Sequence, residues 1–304
     1  MAIAFLYAGQ GSQKPGMGKD FYDAFPAVRE IFDYQPQGID IHRLCFGADL
    51  AELSLTENTQ PCMGAFAAAV TKLLYGEGIV PQFTAGLSLG EYGAMHAAGA
   101  FGWQTLLDLL AFRGSAMADA SKGVDFKMTA VLADDASIAE RGVSDAGGNV
   151  WCCNYNCPGQ TVIGGERSAV ELAEEKCKSL GAKRCLTLNV GGPFHTPFMK
   201  SASVKLTEYT AALDFKPLEF PVIFNVTGKP LGNGEDIRDM MAKQVMSPVR
   251  FEASIRMLAE LGADTVIEIG PGKALSGFVK KTAPNIRTLN IETAEDYRRV
   301  LTEL

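Results

Sequence analysis

The chain has few basic runs, few histidines and no long apolar segment, and each shortage excludes a class of function. Its net charge is −7 over 304 residues, so its overall field does not attract nucleic acid. No apolar run is long enough to span a bilayer, and the short apolar start at 2–8 continues into glycines without a positively charged leader. We therefore expect no nucleic-acid partner and no membrane association, and interpret residues 2–8 as a buried strand.

Cysteine is present but forms no recognisable disulfide or metal framework. There are seven cysteines, an odd number in a chain too long to be a disulfide-stapled miniprotein. Cys152, Cys153 and Cys157 cluster, yet no second cysteine pair or nearby histidine completes a tetrahedral zinc site. We therefore expect reduced thiols, a cytoplasmic location, and neither a metal nor another cofactor.

The chain has no repeats and no low-complexity linker, and its predicted strands alternate with helices. A helix is expected to begin near Thr59, with Pro61 in its first turn, and another covers 104–120. Buried strands are predicted at 2–8, 83–87, 222–225, 265–269 and 287–291. This alternation favours an α/β fold with a parallel sheet.

The middle of the chain has a different pattern. Its elements are predicted in the order strand, helix, strand, strand, helix, strand, at 128–132, 137–146, 150–154, 161–164, 168–180 and 184–188. This order is typical of a ferredoxin-like unit. We therefore predict a large α/β domain formed by 1–123 and 192–304, with a small ferredoxin-like (βαββαβ) subdomain inserted at 124–191.

A G-x-S-x-G motif at residues 86–90 contains the candidate nucleophile, Ser88. It follows a predicted strand and precedes a helix, which is the context in which such a motif presents a serine on a tight, strained turn. The N-terminus of the following helix directs free N–H groups toward the site, as a developing oxyanion requires. The alternative is an ordinary turn in which serine is the helix N-cap, but the strand–helix context favours the nucleophile.

A serine nucleophile needs a base, and the chain has only three histidines. His42 lies in a polar stretch and is expected at the surface. His96 is eight residues beyond Ser88 on the same predicted helix, too far along the axis to reach back. His195 lies in a loop stiffened by Pro193 and Pro197, which leaves it as the candidate base.

Several motifs in this order resemble those of malonyl-CoA:acyl carrier protein transacylases of fatty acid synthesis and of the related acyltransferase domains of polyketide synthases. They include the Ser88 motif, Arg113-Gly114, Phe194-His195-Thr196, and Gln244 ahead of Ser247-Pro248-Val249. The sequences GQGSQ at 9–13 and NYNCPGQ at 154–160 also belong to the set. The resemblance covers essentially the whole chain and implies an α/β-hydrolase-like large domain.

The resemblance also implies a role for individual residues. Ser88 would be acylated, His195 would activate it, and the backbone N–H groups of Gln10 and Leu89 would form the oxyanion hole. Arg113 would hold the free carboxylate of malonyl, which suits its planar fork of donors. The remaining residues expected around the substrate or the histidine are Gln244, Leu87, Met117, Asn154 and Phe194.

The implied partners are malonyl-CoA and acyl carrier protein, and the family-level expectation is a monomer. Two features bear on substrate choice. Leu87 stands where the family usually has histidine, which predicts a differently tuned acyl pocket. The bulk of Phe194 would crowd a branch on the acyl α-carbon, which favours malonyl over methylmalonyl.

Three alternatives remain open at this stage. A serine esterase or thioesterase would need an acidic residue between serine and histidine in chain order, for which Asp108 or Asp119 could be nominated. A non-catalytic carrier-binding protein could use the same fold. Within the transferase reading, a polyketide acyltransferase acting in trans would have the same chemistry as an enzyme of fatty acid synthesis.

Overall fold

The computed structural model describes residues 2–304, which form two separate sheets surrounded by helices. The strands are β1 Ile3–Tyr7, β2 Phe83–Gly86, β3 Phe126–Leu132, β4 Val150–Cys157, β5 Gln160–Glu166, β6 Arg184–Thr187, β7 Val222–Ile223, β8 Thr265–Ile269 and β9 Arg287–Ile291. The helices are α1 Lys19–Ala24, α2 Arg29–Phe32, α3 Ile41–Gly47, α4 Leu50–Leu53, α5 Thr56–Gly76, α6 Gly90–Ala97, α7 Trp103–Ser121, α8 Ser137–Ala146, α9 Arg167–Ser179, α10 Lys200–Ala211, α11 Ile237–Gln244, α12 Phe251–Glu260, α13 Ala274–Thr282 and α14 Ala294–Glu303.

The first sheet is parallel, with strand order β7-β2-β1-β8-β9. Side chains of β1 alternate between its two faces, so Phe5 and Tyr7 enter one apolar core while Ala4 and Leu6 enter the other. Because both faces are covered, the strand is apolar along its whole length. The α/β prediction with a parallel sheet is confirmed.

The second sheet is antiparallel, with strand order β4-β5-β3-β6. Helices α8 and α9 pack together against it over a core of their own. Backbone hydrogen bonds from Tyr155 N to Val249 O and from Val249 N to Cys153 O, both 2.8 Å, join β4 to the segment after α11. This link holds the neighbouring Asn154 beside the parallel sheet.

Two local predictions were wrong. Helix α5 begins at Thr56, three residues before the expected Thr59, whose hydroxyl instead donates to Leu53 O at the end of α4 at 2.6 Å. The strand predicted at 222–225 ends at Ile223, because Phe224 pairs with Lys229 rather than continuing the ladder.

The seven cysteines are all free, and only Cys185 is not buried. Cys152, Cys153 and Cys157 lie together on β4. Among residues 2–304, no helix is both long and apolar enough to cross a membrane.

Candidate active site

Ser88 lies on the sharp turn between β2 and α6, where its backbone adopts a left-handed conformation with φ of 54°. The two flanking glycines make this turn possible. A Cβ on Gly86 would lie 2.0 Å from the carbonyl carbon of Gly90, and a Cβ on Gly90 would lie 2.1 Å from Tyr7 O. Both positions therefore exclude any side chain, since the turn packs directly on its own backbone and on β1.

Gly90→Ala is expected to destabilise the fold by about 3 kcal/mol or more, because the new methyl group collides with rigid backbone. The measurement is the free energy of unfolding from a urea titration. Gly277→Ala is the matched control: Gly277 lies in α13 with no atom near its would-be Cβ. There alanine should stabilise the helix by about 0.5–1 kcal/mol. Equal stability for the two variants would contradict the collision.

His195 reaches Ser88 from a loop 107 residues further along the chain, with 2.8 Å between Ser88 Oγ and His195 Nε2. Its Nδ1 lies 2.8 Å from Gln244 O. A carbonyl oxygen only accepts, so Nδ1 carries the proton and Nε2 presents its lone pair to the serine hydroxyl. His195 also has a positive φ of 62°, and its backbone N–H donates to Val245 O at 3.0 Å. The loop thus sets both the position and the tautomer of the ring.

The environment of His195 lowers its pKa to about 4. Burial of the ring is the main cause, and the positive charge of Arg113 adds to it; hydrogen bonds to backbone at Gln244 and Ser247 oppose both. The imidazole is therefore neutral at pH 7 and able to accept a proton.

Arg113 lies on α7 and is fully buried, with its guanidinium beside the serine. Nη2 lies 3.1 Å from Ser88 Oγ and 2.9 Å from Gln244 Oε1, while Nη1 donates to Gln60 Oε1 at 2.8 Å. The ring of Tyr92 lies beneath the guanidinium carbon, 5.2 Å from it. None of these hydrogen-bond partners is a carboxylate, so the guanidinium is held in place by neutral groups.

A cavity of about 180 Å³ opens beside the serine. It is lined by eight of the ten residues predicted for the site, namely Gln10, Leu87, Ser88, Arg113, Met117, Asn154, Phe194 and His195. The other two predicted residues do not line the cavity: Leu89 is buried in the turn that carries Ser88, and Gln244 is buried behind His195. Gln244 contacts both halves of the pair, since its carbonyl accepts from His195 and its Nε2 donates to Ser88 O at 2.9 Å.

The backbone N–H groups of Leu89 and Gln10 have no hydrogen-bond acceptor among the described residues. All the remaining backbone N–H groups between Leu87 and Tyr92, in the turn that carries Ser88, have an acceptor. Leu87 donates to Tyr7 O, Ser88 donates to Asn225 Oδ1, and residues 90–92 donate to carbonyls of the turn itself. Within residues 2–304, neither Leu89 N nor Gln10 N donates to any protein atom. The Gln10 side chain is held aside by its bond to Thr56 Oγ1 at 3.2 Å.

Among the buried polar residues of the site that were not predicted, Gln60 and Asn225 each carried a signal. Gln60 holds Arg113 and lines the cavity; it is a buried amide at the start of the alanine-rich run of helix α5. Asn225 accepts a hydrogen bond from Ser88 N and lies just beyond β7, at the carboxyl ends of the parallel strands, where functional groups are often found. The same reasoning that singled out Arg113 on an apolar helix would have found Gln60.

The other candidate bases and acids lie elsewhere. His42 is exposed and packs against Tyr22 and Phe46, and His96 Nδ1 lies 2.9 Å from Phe101 O. Asp108 accepts a hydrogen bond from Tyr34, and Asp119 pairs with Lys122 and Lys205 at the surface. Neither carboxylate is a partner of His195.

The family model of the acyl transferase domain matches residues 4–298. The chain belongs to the acyl transferase domain family. It is 43% identical over 298 residues to the malonyl CoA-acyl carrier protein transacylase of Bacillus subtilis, covering 96% of this chain and 94% of that relative. The corresponding transacylase of Staphylococcus aureus is 35% identical over 97% of each chain.

Solved structures of this acyl transferase family agree with the present fold. The crystal structure of the malonyl CoA-acyl carrier protein transacylase from Clostridium perfringens has a TM-score of 0.94 and 37% identity, covering 100% of this chain and 97% of that one. A type II polyketide acyl carrier protein in complex with its malonyl-transacylase matches with a TM-score of 0.95 and 33% identity over the full length of both chains. The predicted resemblance to these transacylases is confirmed.

Proposed function

We propose that this chain transfers a malonyl group from malonyl-CoA to the phosphopantetheine thiol of acyl carrier protein, through an ester on Ser88. One observation carries the proposal: a serine hydroxyl, its histidine base and a buried arginine with no carboxylate partner meet in one cavity. The names of the relatives, malonyl CoA-acyl carrier protein transacylase, support the same substrate pair.

In the first half-reaction, Ser88 Oγ attacks the thioester carbonyl while its proton passes to His195 Nε2. The C–S bond then breaks, and the CoA sulfur leaves with the proton from the histidine. In the second half, the carrier thiol gives its proton to His195 and attacks the ester, and Ser88 recovers its hydrogen as it leaves. No electrons are exchanged and no cofactor enters the balance.

The free N–H groups of Leu89 and Gln10 suit the oxyanion of both tetrahedral intermediates. Donors that need not reorganise as charge develops lower the barrier more than donors that must first break other bonds. Leu89 N also belongs to the turn that leads into α6, whose N-terminus carries partial positive charge.

The arginine accounts for the choice of a dicarboxylic acyl group. A carboxylate bound to the fork of Arg113 would accept the N–H that Arg113 directs at Ser88 Oγ, and it would neutralise a charge that burial makes costly. Leu87, Met117, Asn154 and Phe194 would enclose the short chain between carboxylate and thioester. The bulk of Phe194 again favours malonyl over branched acyl groups.

The geometry weighs against hydrolysis as the main activity. His195 is oriented by a backbone carbonyl of Gln244, whereas the esterase reading called for Asp108 or Asp119. A non-catalytic carrier-binding protein would have no need of the Ser88–His195–Arg113 geometry. We assign the chain to fatty acid synthesis in the cytoplasm; a polyketide acyltransferase acting in trans remains the second candidate, favoured by the polyketide carrier complex among the structural relatives.

We further propose the domain division that the function requires. Residues 1–123 and 192–304 would form an α/β-hydrolase-like domain carrying Ser88 and His195, with 124–191 a ferredoxin-like subdomain. Its support is the strand–helix order β3-α8-β4-β5-α9-β6 of the antiparallel unit. Asn154, on β4, would be its contribution to the cavity.

The decisive experiment is a transfer assay with the purified protein. Intact mass after brief mixing with malonyl-CoA should show one malonyl adduct, and adding phosphopantetheinylated acyl carrier protein should move that mass to the carrier. Release of free CoA with no adduct and no malonylated carrier would make the protein a thioesterase. Absence of any reaction would support the non-catalytic reading.

The acid limb of kcat/KM for acylation is expected well below the ordinary histidine range, near pH 4. The neutral form of His195 is the active one, and its pKa is lowered to about 4. As the pH falls, the activity should therefore decline around pH 4, where His195 becomes protonated, and not around the ordinary histidine pKa of about 6.5. Stopped-flow rates of CoA release between pH 4 and 8 measure it. Acetyl-CoA, which lacks a titrating carboxylate, is the control substrate, and an acid limb near 6.5 with both substrates would contradict the assignment.

A further inference from the structure

Asn225 connects three residues of the nucleophile turn, two through its buried side chain and one through its backbone N–H. Its Oδ1 accepts from Ser88 N and its Nδ2 donates to Gly86 O, both at 2.7 Å. Its own backbone N–H donates to the carboxylate of Glu91, and its carbonyl accepts from Arg250 N at 2.8 Å. The residue is fully buried and every one of these groups is satisfied, so its carboxamide has one orientation.

The turn needs an external support of this kind. Ser88 has a left-handed backbone, which costs a non-glycine residue about 1–2 kcal/mol. Each adjoining peptide group is planar, so fixing one of its atoms fixes the opposite one. Asn225 holds Ser88 N and thereby the Leu87–Ser88 peptide, and Gln244 Nε2 holds Ser88 O and thereby the Ser88–Leu89 peptide. The second peptide carries the free N–H of Leu89.

Glu91 anchors this arrangement from the first turn of α6. It is fully buried, and one carboxylate oxygen binds Asn225 N while the other has no hydrogen-bond partner among the described residues. Burial raises the pKa of this carboxyl to about 8, an effect that the nearby Arg113 charge and the bond from Asn225 reduce. Burying an acidic side chain with one unpartnered oxygen lowers the stability of the fold, so the contact with Asn225 is kept at a cost in folding free energy.

We propose that Asn225, anchored by Glu91, is a positioning residue for the reaction: it sets the strained Ser88 turn, and with it the direction of the hydroxyl, while Gln244 holds the peptide that carries the Leu89 N–H. This inference rests on the proposed function of Ser88. It concerns a residue that touches neither substrate nor the reacting atoms, since Asn225 does not line the cavity.

The expected signature is a loss in rate with no loss in substrate binding. In Asn225→Ala, the rate constant for Ser88 acylation at saturating malonyl-CoA should fall about 10²-fold, the effect of misplacing a reacting group by about 1 Å. KM should stay within a factor of about three, because Arg113 is held by Gln60 and Gln244, and not by Asn225. Asn290→Ala is the matched control, a buried asparagine on β9 remote from the turn.

A second variant keeps the test valid if alanine prevents folding. Asn225→Asp retains an acceptor for Ser88 N, but it can donate to Gly86 O only when protonated. Its activity should therefore rise relative to wild type as the pH falls from 8 to 6; the ratio to wild type is used because Glu91 titrates in the same range in both proteins, while His195 stays neutral in both. The charged or titratable groups around the new carboxyl are Glu91 on α6, Arg113 on α7 and His195 in its loop; Glu91 favours the protonated form and Arg113 opposes it.

Two readouts separate this proposal from the proposed function. Malonyl-CoA tests the natural reaction, and a fluorophosphonate, which labels activated serines, tests the turn independently of the acyl donor. The proposal is supported if both reagents label Asn225→Ala slowly and this variant keeps the Tm of wild type. If the alanine variant is unstable, the pH response of Asn225→Asp takes its place. If fluorophosphonate labels Asn225→Ala more slowly than wild type, but wild type does not react with malonyl-CoA, the positioning role of Asn225 is supported and the malonyl function is overturned. The positioning role is overturned if folded Asn225→Ala reacts at the wild-type rate, or if its acylation rate falls no more than that of Asn290→Ala.

Discussion

Ser88→Ala is expected to form no malonyl adduct and to lower transfer to carrier protein by roughly 10⁶-fold, the scale seen when a serine nucleophile working with histidine is removed. The alanine methyl group cannot attack a thioester, and His195 Nε2 loses its only hydrogen-bond partner at 2.8 Å. The fold should survive because alanine is smaller than serine. Intact mass with and without carrier measures both quantities.

The matched comparison for this variant is His195→Ala, which keeps the nucleophile and removes the base. It should form the adduct slowly, since the hydroxyl remains in place beside the free N–H of Leu89. An adduct of undiminished amount in Ser88→Ala would place the acyl group on another residue, and the buried cysteines would be the first to map by peptide mass.

Arg113→Ala is expected to lower kcat/KM for malonyl-CoA by roughly 10²–10⁴-fold, because removing one partner of a buried charge pair costs about 3–5 kcal/mol. The reaction with acetyl-CoA should hold or improve, since its methyl group gains the space of the lost guanidinium. The preference between the two thioesters therefore reverses. Competition between malonyl-CoA and acetyl-CoA, resolved by adduct mass, gives the ratio directly.

Arg113→Lys is the conservative control for the clamp. It keeps a positive charge but loses the planar fork that contacts Gln60 and Gln244 on separate nitrogens. We expect malonyl activity between those of wild type and Arg113→Ala. If both variants kept the wild-type preference for malonyl, the carboxylate would be recognised elsewhere in the cavity, and Asn154 would be the next residue to replace.

Much of the fold could be predicted because local pattern and burial agree in it. β8 and helix α8 begin and end at the predicted residues, since an apolar run bounded by polar residues and an amphipathic helix both mark their own limits. The start of α5 could not be read in the same way. Thr59 is a good N-cap by type, but here it lies inside α5 and donates to the carbonyl of Leu53 at the end of α4.

The residues of the site were predictable wherever a chemical group stood out from its surroundings. Ser88 lies between two glycines, His195 between two prolines, and Arg113 on an apolar helix. Gln60 and Asn225 were missed because their signals were weaker: an amide has neither charge nor reactivity to set it apart from its neighbours. Their importance arises from what they touch.

The sequence alone determined the α/β class, the motif that turns the chain at Ser88 and the choice of His195, because each depends on nearby residues or on the scarcity of a residue type. Only the tertiary structure decided how these groups meet. Gln244 lies 156 residues from Ser88 and Asn225 lies 137 from it, yet both hold its backbone. It also set the pKa of His195, since burial and the Arg113 charge are properties of the packed chain. Contacts between distant segments are specified by the whole core, and no local pattern encodes them.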